Sequence, residues 1–191
     1  METLQTGDLL LCSGTSWSSY FSEYFGCCTY HHVGIIICNP RFMFPDLSDG
    51  IYVLDTKPVQ DQYSSILSSL RIRPLSTVLN SLPKGTVYIR SITMDRNIIF
   101  QQKINRIIYR ISHTNLSIVE WLKKEGEECF IFPRVIEFEI ENWCSVFLAY
   151  FCHQVGIIGP VNWCIIEPRD FSSIESFLPF SSYISDDTLI W

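Results

Sequence analysis

Cys144, His32 and Asp55 have the side-chain types that thiol chemistry requires, and the sequence places each where secondary structure could bring it to the others. Nucleophilic catalysis by cysteine needs a stabilised thiolate, an imidazole within hydrogen-bond reach, and a polar group that orients the imidazole. Cys144 lies in Asn142-Trp143-Cys144-Ser145, at the start of an apolar run that reads as a helix. Unpaired backbone N–H groups and the helix dipole favour negative charge in a first turn, which lowers a thiol pKa. His32 opens the apolar strand His32-Val33-Gly34-Ile35-Ile36-Ile37, and Asp55 ends the next one, Ile51-Tyr52-Val53-Leu54-Asp55. Two strand ends facing a helix start would set the imidazole between thiol and carboxylate. A cysteine at a helix start is more often structural than catalytic, so side-chain types alone make this a geometric candidate.

The other clusters have simpler readings. Cys27, Cys28, His31 and His32 crowd together, but adjacent residues of an extended chain face opposite ways. No second Cys or His pair follows at a finger-like distance, so no metal site is expected. Cys152 and His153 diverge by about 100 degrees on a helix and read as a core cysteine beside a surface histidine. His113 follows a helix end and needs only solvent. No motif asks for a cofactor.

The elements that must position these residues follow from the apolar pattern. Gly7-Asp8 reads as a turn feeding a strand at Leu9–Cys12; Val33–Cys38, Ile51–Leu54 and Thr86–Ile92 read as three more. Asn39-Pro40 and Asp46–Gly50 are turn chemistry, and the Ser-rich Lys57–Ser69 reads as a surface excursion. Trp17, Tyr20, Phe21, Tyr24 and Phe25 fall on one face of a helix over Ser16–Phe25. That face reads as core; the alternative is peripheral membrane or lipid contact beside the cleft. Isoleucines at threes and fours from Ile98 to Ile111, and Ile118, Val119 and Leu122, predict helices in the middle of the chain. The spacing predicts a helix over Asn142–Val155, with Asn142 as N-cap, Val146, Phe147 and Tyr150 lining one face, and Gly156 as its stop. A short final helix, Asp170–Phe177, would be capped by Asp170. The pattern is α+β, with strands early and helices late.

Composition bounds the rest. A chain of 191 residues with 47% hydrophobic and 18% charged residues excludes disorder and predicts one folded domain over residues 1–191. A net charge of −6 gives no electrostatic footprint for nucleic acid. The first residues have neither a basic start nor an apolar core, so the eight cysteines are expected to be thiols of a protein in a reducing, cytoplasmic compartment. The longest apolar runs, Val33–Cys38 and Val146–Phe151, fall far short of the roughly 18 residues of a membrane span.

Taken in order, Gly7-Asp8-Leu9-Leu10-Leu11, His32-Val33-Gly34-Ile35-Ile36, Tyr52-Val53-Leu54-Asp55, and Trp143-Cys144-Ser145-Val146-Phe147-Leu148-Ala149-Tyr150 with Val155-Gly156-Ile157 form a recognisable series. The series resembles the circularly permuted branch of the NlpC-like papain-fold superfamily, which includes bacterial YiiX-like proteins, lecithin retinol acyltransferase and a poxvirus virion protein. Histidine before cysteine is the order of the permuted branch. The resemblance runs from Gly7 to about Asp170, and the length and Ile-rich composition are closer to the viral members, which implies virion association. It implies a papain-like fold in which a cysteine at a helix start faces a histidine on a central antiparallel sheet. Cys144 then corresponds to the nucleophile, His32 to the base and Asp55 to the third polar residue. Relatives often carry glutamate at the third position and a small polar residue before the histidine. Here the acid is the shorter Asp55, and His31, by strand alternation, points to the opposite face.

The implied chemistry is attack of the Cys144 thiolate on an ester or amide carbonyl, with His32 taking the thiol proton. The oxyanion would be held by the Cys144 backbone N–H and a second donor, and the thioester passed to water or to an acyl acceptor. Peptide, isopeptide and lipid substrates all suit that chemistry, and the fold does not choose among them. The contrasting class is an inactive papain-like module used for binding or as a virion component. Retention of all three polar residues speaks against it.

Overall fold

The computed structural model describes residues 4–13, 30–56, 70–114, 116, 118–128, 143–173, 178–180 and 183–191. Its strands are β1 (Leu9–Ser13), β2 (Tyr30–Cys38), β3 (Ile51–Thr56), β4 (Leu70–Pro74), β5 (Val87–Arg90), β6 (Ile92–Thr93), β7 (Tyr183–Ile184) and β8 (Thr188–Leu189). Six of them form an antiparallel sheet in the order β4-β3-β2-β1-β5-β8, and β6 pairs with β7 in a separate ribbon. Among the described residues the α-helices are α1 (Leu75–Asn80), α2 (Ile98–Ser112), α3 (Ile118–Glu128) and α4 (Trp143–Val155). The architecture is α+β.

The central strands are continuous apolar runs because both of their faces are covered. Leu9, Leu11, Val33, Ile35, Ile37 and Leu54 face α2, α3 and α4. Leu10, Ile36 and Val53 face α1 and the C-terminal Ile190 and Trp191. Helix α2 is amphipathic, burying Phe100, Ile104, Ile107, Ile108 and Ile111, and is capped by the Asn97 side chain, which accepts from the N–H groups of Ile99 and Phe100 at 2.9 and 3.1 Å. Helix α4 is different. Every residue from Val146 to Cys152 is at most 1% exposed, so the helix is enclosed by β2, β3, α2 and α3 rather than lining one face with Val146, Phe147 and Tyr150. It ends at Gly156, whose φ of 89° lets its own N–H and that of Ile157 turn back to the carbonyls of His153 and Cys152 at 3.1 and 2.7 Å.

Several expectations change in three dimensions. The strand expected over Thr86–Ile92 divides into β5 and β6, which join different sheets. Of the expected final helix, residues 174–177 lie outside the described residues, and Asp170, rather than capping a helix, sits inside a 3-10 turn at Pro168–Phe171: Pro168 opens the turn, Glu167 is the N-cap, and Asp170 accepts the Glu167 N–H at 2.8 Å. His153 is half-buried, its ring N–H donating to the Gly159 carbonyl at 3.2 Å. The chain does not end in helices, because β7 and β8 return to the sheets. The helix expected at Ser16–Phe25, the excursion at Lys57–Ser69, the cap Asn142, Cys27, Cys28 and Cys129 lie outside the described residues, as does the side chain of Cys164. Among the described residues no helix is long and apolar enough to cross a membrane.

The returning C-terminal segment is tied down by a buried ionic knot. Arg90 donates to the carbonyls of Phe171 and Ser185 at 2.6 and 3.0 Å and pairs with Asp187 at 3.4 Å. Asp187 also accepts from the Tyr30 hydroxyl at 2.8 Å and the Ser173 N–H at 3.0 Å. Arg90 and Asp187 are each 6% exposed at the side chain. Removing one partner of a buried pair leaves the other uncompensated. Asp187→Ala is therefore expected to lower stability by about 3–5 kcal/mol, read from urea unfolding.

Candidate active site

The histidine strand carries an irregularity beside His32. Cys12 on β1 pairs with His32, yet the next residue, Ser13, pairs with Tyr30, so His31 has no partner opposite it and β2 bulges there. A bulge interrupts strand alternation and re-aims the side chains beside it. Burial and the adjacent His32 hold the His31 ring below the ordinary histidine range. His32 lies immediately after the bulge, inside a strand that begins at Tyr30 rather than at His32.

The β2–β3 register places the acid. Ile35 pairs with Leu54, which sets Asp55 beside Gly34 and diagonal to His32. Diagonal neighbours on adjacent strands are within side-chain reach. His32 Nε2 lies 2.9 Å from Asp55 Oδ2, so an aspartate spans the gap without the extra methylene of a glutamate. Gly34 makes room for this. A Cβ there would stand 2.9 Å from Val53 Cγ1, 3.3 Å from the Leu54 carbonyl oxygen and 3.4 Å from Asp55 Cβ.

With Nε2 engaged by Asp55, Nδ1 is the ring nitrogen left for Cys144. Cys144 sits in the first turn of α4, 8% exposed, and that turn is fixed by the buried Ser145, whose hydroxyl donates to the Ile166 carbonyl at 2.6 Å. The structure therefore brings Cys144, His32 and Asp55 together: His32 is bonded to Asp55, and Cys144 lies close enough to His32 for each to shift the other's proton affinity. It adds two residues that the sequence pattern left unread, Arg71 and Arg73 of β4, which both pair with Asp55 at 3.1 and 2.6 Å. Their signal was present in the alternation Leu70-Arg71-Ile72-Arg73, which has strand period with both cations on one face.

The electrostatics separate this cysteine from the others. Burial opposes a thiolate at Cys144, but the hydrogen bond and charge of His32, with the backbone N–H groups of Val33 and Ser145, outweigh it and hold the thiol below its ordinary range. Burial pushes the other described thiols up: Cys12 to about 12, Cys38, and Cys152 furthest of all. All four are free cysteines. Burial alone would also lower His32; hydrogen bonds to Asp55 and Cys144 and their charges prevail and raise it to about 9. Asp55 resists the upward push of burial through His32, Arg71 and Arg73 and stays below the usual carboxylate range. The state these shifts favour is a thiolate–imidazolium pair.

Among the described residues no group of three or more His, Cys, Asp or Glu side chains is arranged to hold a metal ion. No family model matches the sequence, and no curated protein matches it. Among solved structures, the chain is similar to the crystal structure of a metalloprotein, yiiX, from Escherichia coli O157:H7, at 15% identity and a TM-score of 0.40, over 85% of this chain and 86% of that one.

Two outcomes follow from the geometry. Alkylation of Cys144 by iodoacetamide, read by peptide mass spectrometry, should reach half its limiting rate below the ordinary thiol pKa of about 8.5. His32→Ala should move that midpoint up toward the ordinary value, because the cation that stabilises the thiolate is gone. Gly34→Ala should lower stability by about 1–3 kcal/mol through overpacking and slow Cys144 alkylation near neutral pH as β3 and Asp55 are pushed from β2.

Proposed function

We propose that this protein is a thiol-dependent hydrolase that acts on an amide or ester carbonyl, through a Cys144–His32–Asp55 site of the permuted papain-like kind. The observation that carries the reading is the meeting of Cys144, in the first turn of α4, with His32, whose Nε2 lies 2.9 Å from the buried Asp55. A thiol, an imidazole and an orienting carboxylate in that sequence are what nucleophilic catalysis by cysteine needs.

The residues divide the work. The Cys144 proton passes to His32, and the thiolate attacks the carbonyl carbon of the substrate. The resulting oxyanion lies at the start of α4, where backbone N–H groups, that of Cys144 among them, have no acceptor within the helix. Collapse of this intermediate breaks the C–N or C–O bond, and the imidazolium returns the proton to the departing amine or alcohol. The product is a thioester on Cys144. Water, activated by the now neutral His32, attacks the thioester, releases the acid and restores the thiol; an alcohol or amine in place of water makes the reaction an acyl transfer. Throughout, Asp55 holds the ring orientation and balances the imidazolium charge.

The test is a panel of activated acyl esters and peptide amides, with quenched reactions examined by mass spectrometry for an acyl group on Cys144. The expected result is turnover with an acyl-enzyme on Cys144, no turnover in Cys144→Ala, and a loss of about 10²–10⁴-fold in His32→Ala. A folded wild-type protein that forms no acyl adduct on Cys144 with any donor would leave the binding-module reading standing instead.

A further inference from the structure

Asp55 receives more cationic donors than orienting one imidazole requires. Arg71 lays a fork on it, Nε to Oδ1 at 3.1 Å and Nη2 to Oδ2 at 3.1 Å, while the same Nη2 donates to the Thr56 carbonyl at 3.2 Å. Arg73 adds Nη2 to Oδ2 at 2.6 Å. Oδ2 thus accepts from His32, Arg71 and Arg73 together. The strand order explains the convergence. β3 lies between β2 and the edge strand β4, with Arg71 directly opposite Asp55 and Arg73 opposite Val53, one diagonal step away. His32 approaches the carboxylate from one flank and the guanidiniums from the other. Asp55 is 1% exposed, whereas the arginines are 28% and 29% exposed at the side chain.

We propose that Arg71 and Arg73 are positioning residues of the site: they fix the plane of the Asp55 carboxylate so that Oδ2 faces His32, and their charge keeps His32 able to give up its proton. The proposal rests on the thiol-hydrolase reading. A guanidinium fork fixes a carboxylate in a way that a single imidazole hydrogen bond cannot. The electrostatic part has a definite sign. A buried carboxylate facing His32 alone would bind the imidazolium so tightly that proton return to the leaving group would be slow at neutral pH. Two cations on the far side of that carboxylate offset part of its charge, and they lower the proton affinity of His32 and Cys144 together.

Among the described residues, the other neighbouring charged and titratable groups do not supply this offset. Cys12 of β1 and Cys144 of α4 carry no positive charge in either protonation state, and burial and the adjacent His32 disfavour a charge on His31. At the 3-10 turn packed on β2, Arg169 pairs with Glu167 at 2.8 Å, and Asp170 caps the turn. Helix α1, which packs on β3 and β4, carries no charged residue.

The experiment is the pH dependence of Cys144 alkylation in the full chain, for wild type, Arg71→Gln/Arg73→Gln and the charge-retaining Arg71→Lys/Arg73→Lys, with near-ultraviolet circular dichroism to establish folding. The double glutamine variant is expected to move the midpoint to higher pH by about one unit or more. The lysine variant should recover most of that shift. Should the double glutamine variant fail to fold, Arg73→Gln alone, which leaves the Arg71 fork in place, is expected to move the midpoint the same way by less. Folded glutamine variants with the wild-type midpoint would overturn the role of the arginines. A wild-type midpoint at the ordinary thiol value would instead overturn the activated-thiol reading itself, so the two failures are distinguishable.

Discussion

A carboxylate that is 1% exposed must have its charge and its lone pairs satisfied by the protein, and the candidate site is organised around meeting that demand at Asp55. Three side chains from two flanking strands converge on it. The strand register puts them within reach, and Gly34 removes the one Cβ that would stand in the way. Because Oδ2 is fixed, His32 Nε2 is committed, and the other ring nitrogen is left for Cys144. Low solvent access then strengthens each link, since charge pairs away from water are screened less.

Helix α4 supplies the other half of the geometry. Its residues from Val146 to Cys152 are buried on all sides, so packing against the sheet and the neighbouring helices sets its position, with a few buried polar contacts to fix its rotation. Tyr150 fixes its rotation from within: its ring meets Trp121 and Trp163 edge to face at 4.9 and 5.0 Å, and its hydroxyl donates to Glu125. Glu125 in turn pairs with Arg110, so α2, α3 and α4 share one polar link through an otherwise apolar core. A helix held this firmly delivers its first turn, and with it Cys144, to a fixed point beside β2.

Cys12, Cys38 and Cys152 show how position rather than residue type sets the Cys144 thiol apart from the other described thiols. Cys152 lies on the same helix as Cys144, two turns further on, wholly buried and away from any cation that would stabilise its thiolate. Cys12 sits on the strand beside His32, yet burial and the negative charges of Asp55 and Cys144 push its thiol up. Of these four described cysteines, only the first-turn one combines backbone N–H donors with an imidazolium partner.

Much of this was legible in the residues. Apolar runs gave β1, β2 and β3, the isoleucine spacing gave α2, and the run after Trp143 gave α4 with its glycine stop, because burial writes itself into composition and period. The types Cys144, His32 and Asp55 were legible too, since few combinations of side chains serve thiol chemistry. The arginines of β4 were not: Leu70–Pro74 is a short edge strand half composed of charged or turn-forming residues, and its strand character depends on pairing with β3. The returning strands β7 and β8 escaped for the same reason, being two residues each and defined by distant partners. The sequence by itself determined which segments would be buried and which groups could react. Only the tertiary structure decided that one thiol, one imidazole and one carboxylate would meet and that two arginines would join them, because register, bulge and helix placement are properties of paired elements and not of either element alone.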